Sequence, residues 1–418
     1  MNYKVKKVFW YLVLLFLFSS LCLTDQFNSI GSVAISIMTL MIIPIVLVIK
    51  KKKFKIHKPS LFLMYIFLIV CSLSALYNSD LKLIINAGMM FVLYLAALAI
   101  IPSYENIEIN KLVYKAILVS NIPIILVPIL ISGFNFVPYR GIFYNPNSFG
   151  SISATLFTAV FSLFIFKFEQ SIVTKKHSVK NLLIQLLVLF SLFFLIVLSG
   201  SRTSTLSAGI VIVAGIFFLI IRLIKVKKLW SSMTKGILYS FIGFSIVTLL
   251  IKFTPFYDYL YINILYKFER KVGNGDVLDQ RGAVWTQTIK DSGLWGNGSS
   301  FFTTQTDIAA HNTFINILGQ TGWPSLIIFL SFLILACFIS FKYAISEIDD
   351  QYKYLPLMLI ICFCTLSMGE SMIMKLSMIA MFFSLGSMIG FKKRILKQTQ
   401  EKKKYHEIKV RRRWKLVW

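Results

Sequence analysis

Apolar residues in this chain come in long, nearly unbroken runs, and the polar residues between them fall into short clusters. Crossing about 30 Å of hydrocarbon as a helix takes roughly 20 mostly apolar residues. On that measure the pattern predicts twelve spanning helices: 8–24, 30–49, 61–77, 83–101, 112–132, 148–166, 181–198, 204–221, 236–253, 323–341, 355–369 and 372–390. Only Gly369, Glu370 and Ser371 separate the last two. The first run follows MNYKVKK and has no small-x-small cleavage site, so it is expected to be an uncleaved signal anchor.

Composition agrees with lipid as the solvent. The chain is 57% hydrophobic and 15% charged, where a soluble protein carries roughly 45–50% apolar and about 25% charged residues. A soluble enzyme, a DNA-binding domain and a disordered chain are excluded. The net charge of +27 suggests nucleic acid until its placement is considered. With the N-terminus inside, 33 Lys and Arg fall on the inner side, 8 on the outer side and three within spans. Cytoplasmic loops carry such an excess, so both termini are expected in the cytoplasm of a multi-pass cytoplasmic-membrane protein. The basic residues then act as topological anchors and contacts to anionic membrane lipids, and no nucleic-acid partner is expected. The basic tail, 391–418, has protein docking as its alternative reading. The five cysteines all lie in apolar runs and read as inert thiols without metal spacing.

The chain therefore reads as one polytopic membrane domain, 1–418, with one long connection at 254–322 on the outer side. Loops of that length usually serve a function. Asp279 to Asp291 is helix-like, GLWGNGSS (293–300) is a turn, and His311 to Gln320 is a second short helix. Pro324 sits where a first-turn proline is welcome. A second outer loop, 133–147, is rich in Pro, Gly and aromatic residues.

Candidate chemistry rests on the few polar residues of the outer side. Arg202 lies in SGSRTS, a six-residue turn between spans; Arg281 opens the helix-like part of the long loop; Arg140 precedes Gly141. Taken singly, these arginines read as surface or snorkelling charges. Together they offer planar donor forks suited to phosphate at one membrane face. His311 is the only outer histidine, and histidine is the side chain that ordinarily titrates near neutrality, as a general base requires. Outer carboxylates are scattered, with no Asp-x-Asp or His/Asp cluster, so neither a metal nor another cofactor is expected. Glu370 reads either as a turn residue or as an ion partner or acceptor contact.

RGIFYNPNSFG (140–150), SGSRTS (199–204), RGAVW (281–285) with GLWGNGSS, and AHNTFINILGQTGWPSL (310–326) resemble the O-antigen ligase/polymerase superfamily of bacterial surface-polysaccharide enzymes. The likeness is strongest over about 140–326. It implies an all-α polytopic membrane protein of about twelve transmembrane helices, with a lipid-linked-sugar glycosyltransferase (GT-C-like) fold and one long outer loop. It further implies metal-independent, inverting glycosyl transfer from an undecaprenyl-diphosphate-linked glycan. By position, Arg202 and Arg281 match arginines that grip the diphosphate, and His311 matches the histidine that activates the acceptor hydroxyl. Arg140 and Asn147 carry over as site-lining residues, and Asn312 is expected to orient His311.

Within that family a polymerase joins lipid-linked repeat units of a capsule, exopolysaccharide or O-antigen, and a ligase moves finished glycan to lipid A core, protein or wall polymer. The compact outer loop, with no separate acceptor-binding domain, favours polymerase. A flippase and a chain-length regulator of the same pathway are the protein partners this implies. A transporter of lipid-linked sugar is the competing class. It would place charges and broken helices near mid-membrane, whereas the expected spans are nearly free of central charge. A scaffold for a synthesis complex is the third reading, and it would make Arg202 and His311 dispensable.

Overall fold

The computed structural model describes residues 3–27, 57–103, 108–134, 138–174, 179–225, 281–306, 308–348 and 350–386, with isolated positions in 33–39 and 245–269. The expected spans 30–49 and 236–253, the loop segment 254–280 and the tail 391–418 lie outside these residues, apart from those isolated positions.

The described chain is all-helical, as a membrane-embedded backbone must be unless it closes into a barrel. Helix α1 is Tyr3–Leu21, α2 Lys58–Tyr77, α3 Leu81–Leu95, α4 Ile109–Ser132, α5 Pro146–Thr174, α6 Val179–Leu198 and α7 Arg202–Lys225. After the long loop's first segment come α8 (Arg281–Asp291), α9 (Phe301–Thr304), α10 (Thr313–Thr321), α11 (Trp323–Ala344), α12 (Leu355–Ser367) and α13 (Leu376–Leu385). Seven helices, α2 to α7 and α11, are long and apolar enough to cross a membrane, with α3 extended by a π-helical turn to Ile100. The architecture is that of a polytopic membrane protein.

Prolines stand in the first turn of four of these helices, at Pro59, Pro146, Pro324 and Pro356, where the missing N–H costs nothing. Asp80 caps α3 by accepting from the Lys82 N–H. Helix α5 is the centre of the bundle: 94% of its apolar stretch is buried, against 33–56% for the other six. Ser151, Thr155, Thr158 and Ser162 return their hydroxyls to the preceding turn, as in Thr155 to Ser151 O and Thr158 to Ala154 O. Such small residues let neighbouring helices approach closely.

The last two expected spans form differently from the sequence expectation. Helix α12 has 13 residues and α13 has 10, so α12 covers only about 20 Å. Every residue of α13 is buried, and nearly all of α12. Being apolar all round, they sit inside the protein rather than against lipid. Non-helical backbone at 368–375 joins them, which is tolerated where protein surrounds it. Lys375 caps α13 from outside instead of lying within a span.

Connections segregate into two sets, as alternating spans require. At one end, Thr24 bridges Phe143, the Ser74 hydroxyl donates to Trp295 O, and the Ser299 N–H donates to Asp80. At the other end, Asn110 donates to Tyr352 O and Lys225 to Ile345 O. The first set is the one expected outside. Helix α5 also runs past its expected end at 166 to Thr174, carrying Glu169 into the packed bundle. Charge there is tolerated because Arg222 and Lys353 meet it.

Candidate functional site

The α12–α13 connection is the hub of the end expected outside. His311 Nδ1 lies 3.2 Å from Glu370 Oε2, and Asn147 Nδ2 donates to Glu370 Oε1 at 2.8 Å. Asn147 stands in the first turn of α5, so the central helix supports the carboxylate directly. Thr313 donates its hydroxyl to Glu370 O and accepts from the Met372 N–H. Arg281 Nη1 donates to Gly369 O at 3.0 Å. Asn316 donates to the Ser371 hydroxyl. Five side chains, from α5, α8, α10 and His311 two residues before α10, thus converge on four consecutive residues.

His311 is held in an unusual conformation. Its φ is +45°, in the left-handed region that a residue with a Cβ rarely occupies. Such strain costs on the order of 1–3 kcal/mol and persists only where the surroundings over-determine it. Here they do. On one side Trp285 Nε1 donates to Ala310 O at 2.8 Å. On the other, Asn312 accepts from the Phe314 and Ile315 N–H groups as the α10 cap and donates to Met368 O. RGAVW and AHNTF, separate in sequence, are therefore bonded to one another.

Burial raises the Glu370 carboxyl, but the His311 hydrogen bond and the charges of Lys375, His311 and Arg281 outweigh it and hold it below the ordinary glutamate value. Glu370 stays ionised beside the imidazole. An ionised carboxylate only accepts, so Nδ1 is the donor to it, and in a neutral imidazole so oriented Nε2 would carry the lone pair. The His311 side chain remains one-third exposed.

Arg202 is the first residue of α7, which shortens the expected turn to Ser199, Gly200 and Ser201. Its side chain is half-buried and, among the described residues, makes no hydrogen bond or ion pair. Two close approaches bring it to the hub. A Cβ on Gly369 would collide with Thr203, and one on Gly150 would lie 2.7 Å from the Ser199 hydroxyl and 2.8 Å from Ser201 Cβ. The start of α7 is wedged between α5 and the α12–α13 connection.

Arg140 is not part of this convergence. It pairs with Asp25 at 3.5 Å and donates to Tyr144 O, and it is 52% exposed. Asn312 anchors the backbone beside His311, while the ring itself is met by Glu370. Trp285 and Thr313 lie within the motifs RGAVW and AHNTF, but a hydroxyl and an indole carry no signal in the sequence of partners 25 to 59 residues away. No protein-family model matches this chain, and comparison with curated proteins returns no match.

Proposed function

We propose that this protein is a metal-independent, inverting glycosyltransferase with a GT-C-like fold. It uses an undecaprenyl-diphosphate-linked oligosaccharide at the outer face of the cytoplasmic membrane and polymerises repeat units of a surface polysaccharide. The observation that carries the reading is the His311–Glu370 pair, a base with its orienting carboxylate, with Arg281 bonded to the adjoining Gly369 O and Arg202 starting the helix that packs on Gly369.

In this reading His311 Nε2 takes the proton of the acceptor hydroxyl as its oxygen attacks the anomeric carbon. The bond from that carbon to the diphosphate oxygen breaks, and its electron pair leaves with the lipid diphosphate. Glu370 holds the ring through Nδ1 and stabilises the imidazolium that forms, as carboxylates do for catalytic histidines. Arg202 supplies an uncommitted guanidinium, and Arg281 retains donors beyond the one given to Gly369. Both oppose the charge that develops on the leaving group. A flippase that delivers the donor and a chain-length regulator are its expected partners.

A transporter of lipid-linked sugar is the second reading. The interrupted α12–α13 pair with Glu370 and Lys375 at its break favours it. Reconstitution with lipid-linked repeat units and no other acceptor separates the two. A ladder of glycan lengths that vanishes in His311→Ala supports polymerisation. Transfer only after lipid A core, protein or wall polymer is added makes the protein a ligase. Movement of the donor across the bilayer without any new glycosidic bond overturns the enzymatic reading.

A further inference from the structure

Asp80, in the turn between α2 and α3, is remote in sequence from the hub yet holds the segment that leads to His311. Its Oδ2 accepts from the Ser299 N–H, while Oδ1 caps α3 through the Lys82 N–H. Two neighbours grip the same segment: the Ser74 hydroxyl donates to Trp295 O, and Asn78 Nδ2 donates to Trp295 O at 3.2 Å. Burial raises the Asp80 carboxyl, but hydrogen bonds from the Ser299 side chain and N–H, and from the Lys82 and Leu83 N–H groups, hold it below the ordinary aspartate value. The carboxylate is therefore charged, and its bond to Ser299 is of the stronger, charge-assisted kind.

The gripped segment is in turn fastened to α10. The Asn297 and Gly298 N–H groups donate to Gly319 O at 2.8 Å and Gln320 O at 3.1 Å, two of the carbonyls that a helix end leaves open. The approach is close, since a Cβ on Gly296 would lie 2.6 Å from the backbone of Gln320, Thr321 and Gly322. Phe301 and Phe302 then pack with Val284 and with Ala310, the residue before His311. Helix α10 is a rod of nine residues, about 14 Å long. A hold on its far end therefore fixes the end where His311 stands.

Backbone strain marks the same places. Among the described residues, the non-glycine positions with positive φ are Ser79 at +50°, His311 at +45° and Met374 at +59°. One lies in the α2–α3 turn, one is the proposed base and one lies in the α12–α13 connection. Such strain gathers at functional sites and persists where the surroundings over-determine it. His311 thus stands between two strained supports: Glu370 meets its ring, and the α2–α3 turn holds the far end of its helix through 295–299.

We propose that Asp80 is a positioning residue for His311, holding the 295–299 turn and, through α10, setting the ring against Glu370. This rests on the reading of His311 as the base, but the placement of the ring can be measured without turnover.

The test uses the full chain in detergent micelles. Histidines are modified with diethyl pyrocarbonate, and the rate at each is followed by peptide mass spectrometry. His57, at the other end of α2, is the internal standard. In Asp80→Ala the His311 rate should rise about tenfold, the loss expected for a hydrogen bond to a charged group, with the His57 rate unchanged. Asp80→Ala also removes the α3 cap. Ser74→Ala leaves that cap intact and should raise the His311 rate as well. An unchanged His311 rate in Asp80→Ala overturns the proposal. So does a rise absent from Ser74→Ala, which would trace to the lost cap, or an equal rise at His57, which would mean general loosening. In the ladder assay, Asp80→Ala should slow chain growth by about tenfold or more with an unchanged KM for the donor. A raised KM at an unchanged rate would make Asp80 a donor contact and overturn positioning. A wild type that builds no ladder refutes the enzymatic reading, and the His311 rates still decide the placement.

Discussion

His311 Nδ1 and Glu370 Oε2 stand 3.2 Å apart, joining the start of α10 to the break between α12 and α13. The pair gives the proposed reaction its sharpest test. His311→Ala should abolish chain growth, and Glu370→Gln should lower it by at least about tenfold, since a positioned base contributes roughly 10²–10⁴-fold. Glycan ladders from reconstituted protein, with unfolding midpoints alongside, check this. Unchanged ladders in His311→Ala would remove it from the mechanism.

The two arginines should separate stability from function. Arg202 has no partner among the described residues, so Arg202→Ala should leave stability within about 0.5 kcal/mol. Arg281→Ala loses its bond to Gly369 O and should cost about 1–3 kcal/mol. Both should reduce transfer by about 10²–10³-fold if they oppose the leaving group's charge. Arg202→Lys should fail nearly as badly as Arg202→Ala, because an ammonium lacks the paired donors. Full activity in Arg202→Lys would refute the diphosphate contact.

Glu370 also predicts a pH dependence of stability. Its folded-state value is held below the ordinary 4.5. Its contribution is therefore fully present above that ordinary value and is lost as pH falls through the lower folded value. Unfolding midpoints measured from neutral pH into acid should show a drop below about pH 4.5 that Glu370→Gln lacks. A Gln variant with the same acid profile would mean that other carboxylates carry the effect.

Gly369→Ala should act at a distance from the reacting groups. The new methyl would collide with Thr203 and push the start of α7 away from the α12–α13 connection. Transfer should fall while the helical content persists, and Thr203→Ala in the same background should restore part of it by removing both the hydroxyl and the methyl that clash. Gly322→Ala, at φ +84° and against Leu294 O, should instead destabilise the long loop by about 1–3 kcal/mol. Circular dichroism with the ladder assay distinguishes the two outcomes.

Chelation should leave transfer unchanged, because histidine and arginines alone carry the proposed step. Inhibition by a chelator that magnesium reverses would reveal a metal requirement.

Much of this protein follows from its sequence through a single constraint. Lipid leaves no backbone group unpaired, so each long apolar run had to be helix, and α2 to α7 and α11 lie where those runs are. The helix start at Pro324 was equally legible, because a first-turn proline acts locally. Hydropathy measures only how apolar a segment is, not what covers it. It could not tell that α12 and α13 are short, wholly enclosed and broken at Glu370, nor that α5 would carry Glu169 inside. Likewise the outer polar residues were visible as a set, but not their pairing. Arg140 went to Asp25, while Asn147, Arg281 and His311 met at residues 369 and 370. Those partners lie 59 to 223 residues apart, and only the packing of α5, α8 and α10 around one buried turn brings them within hydrogen-bond reach.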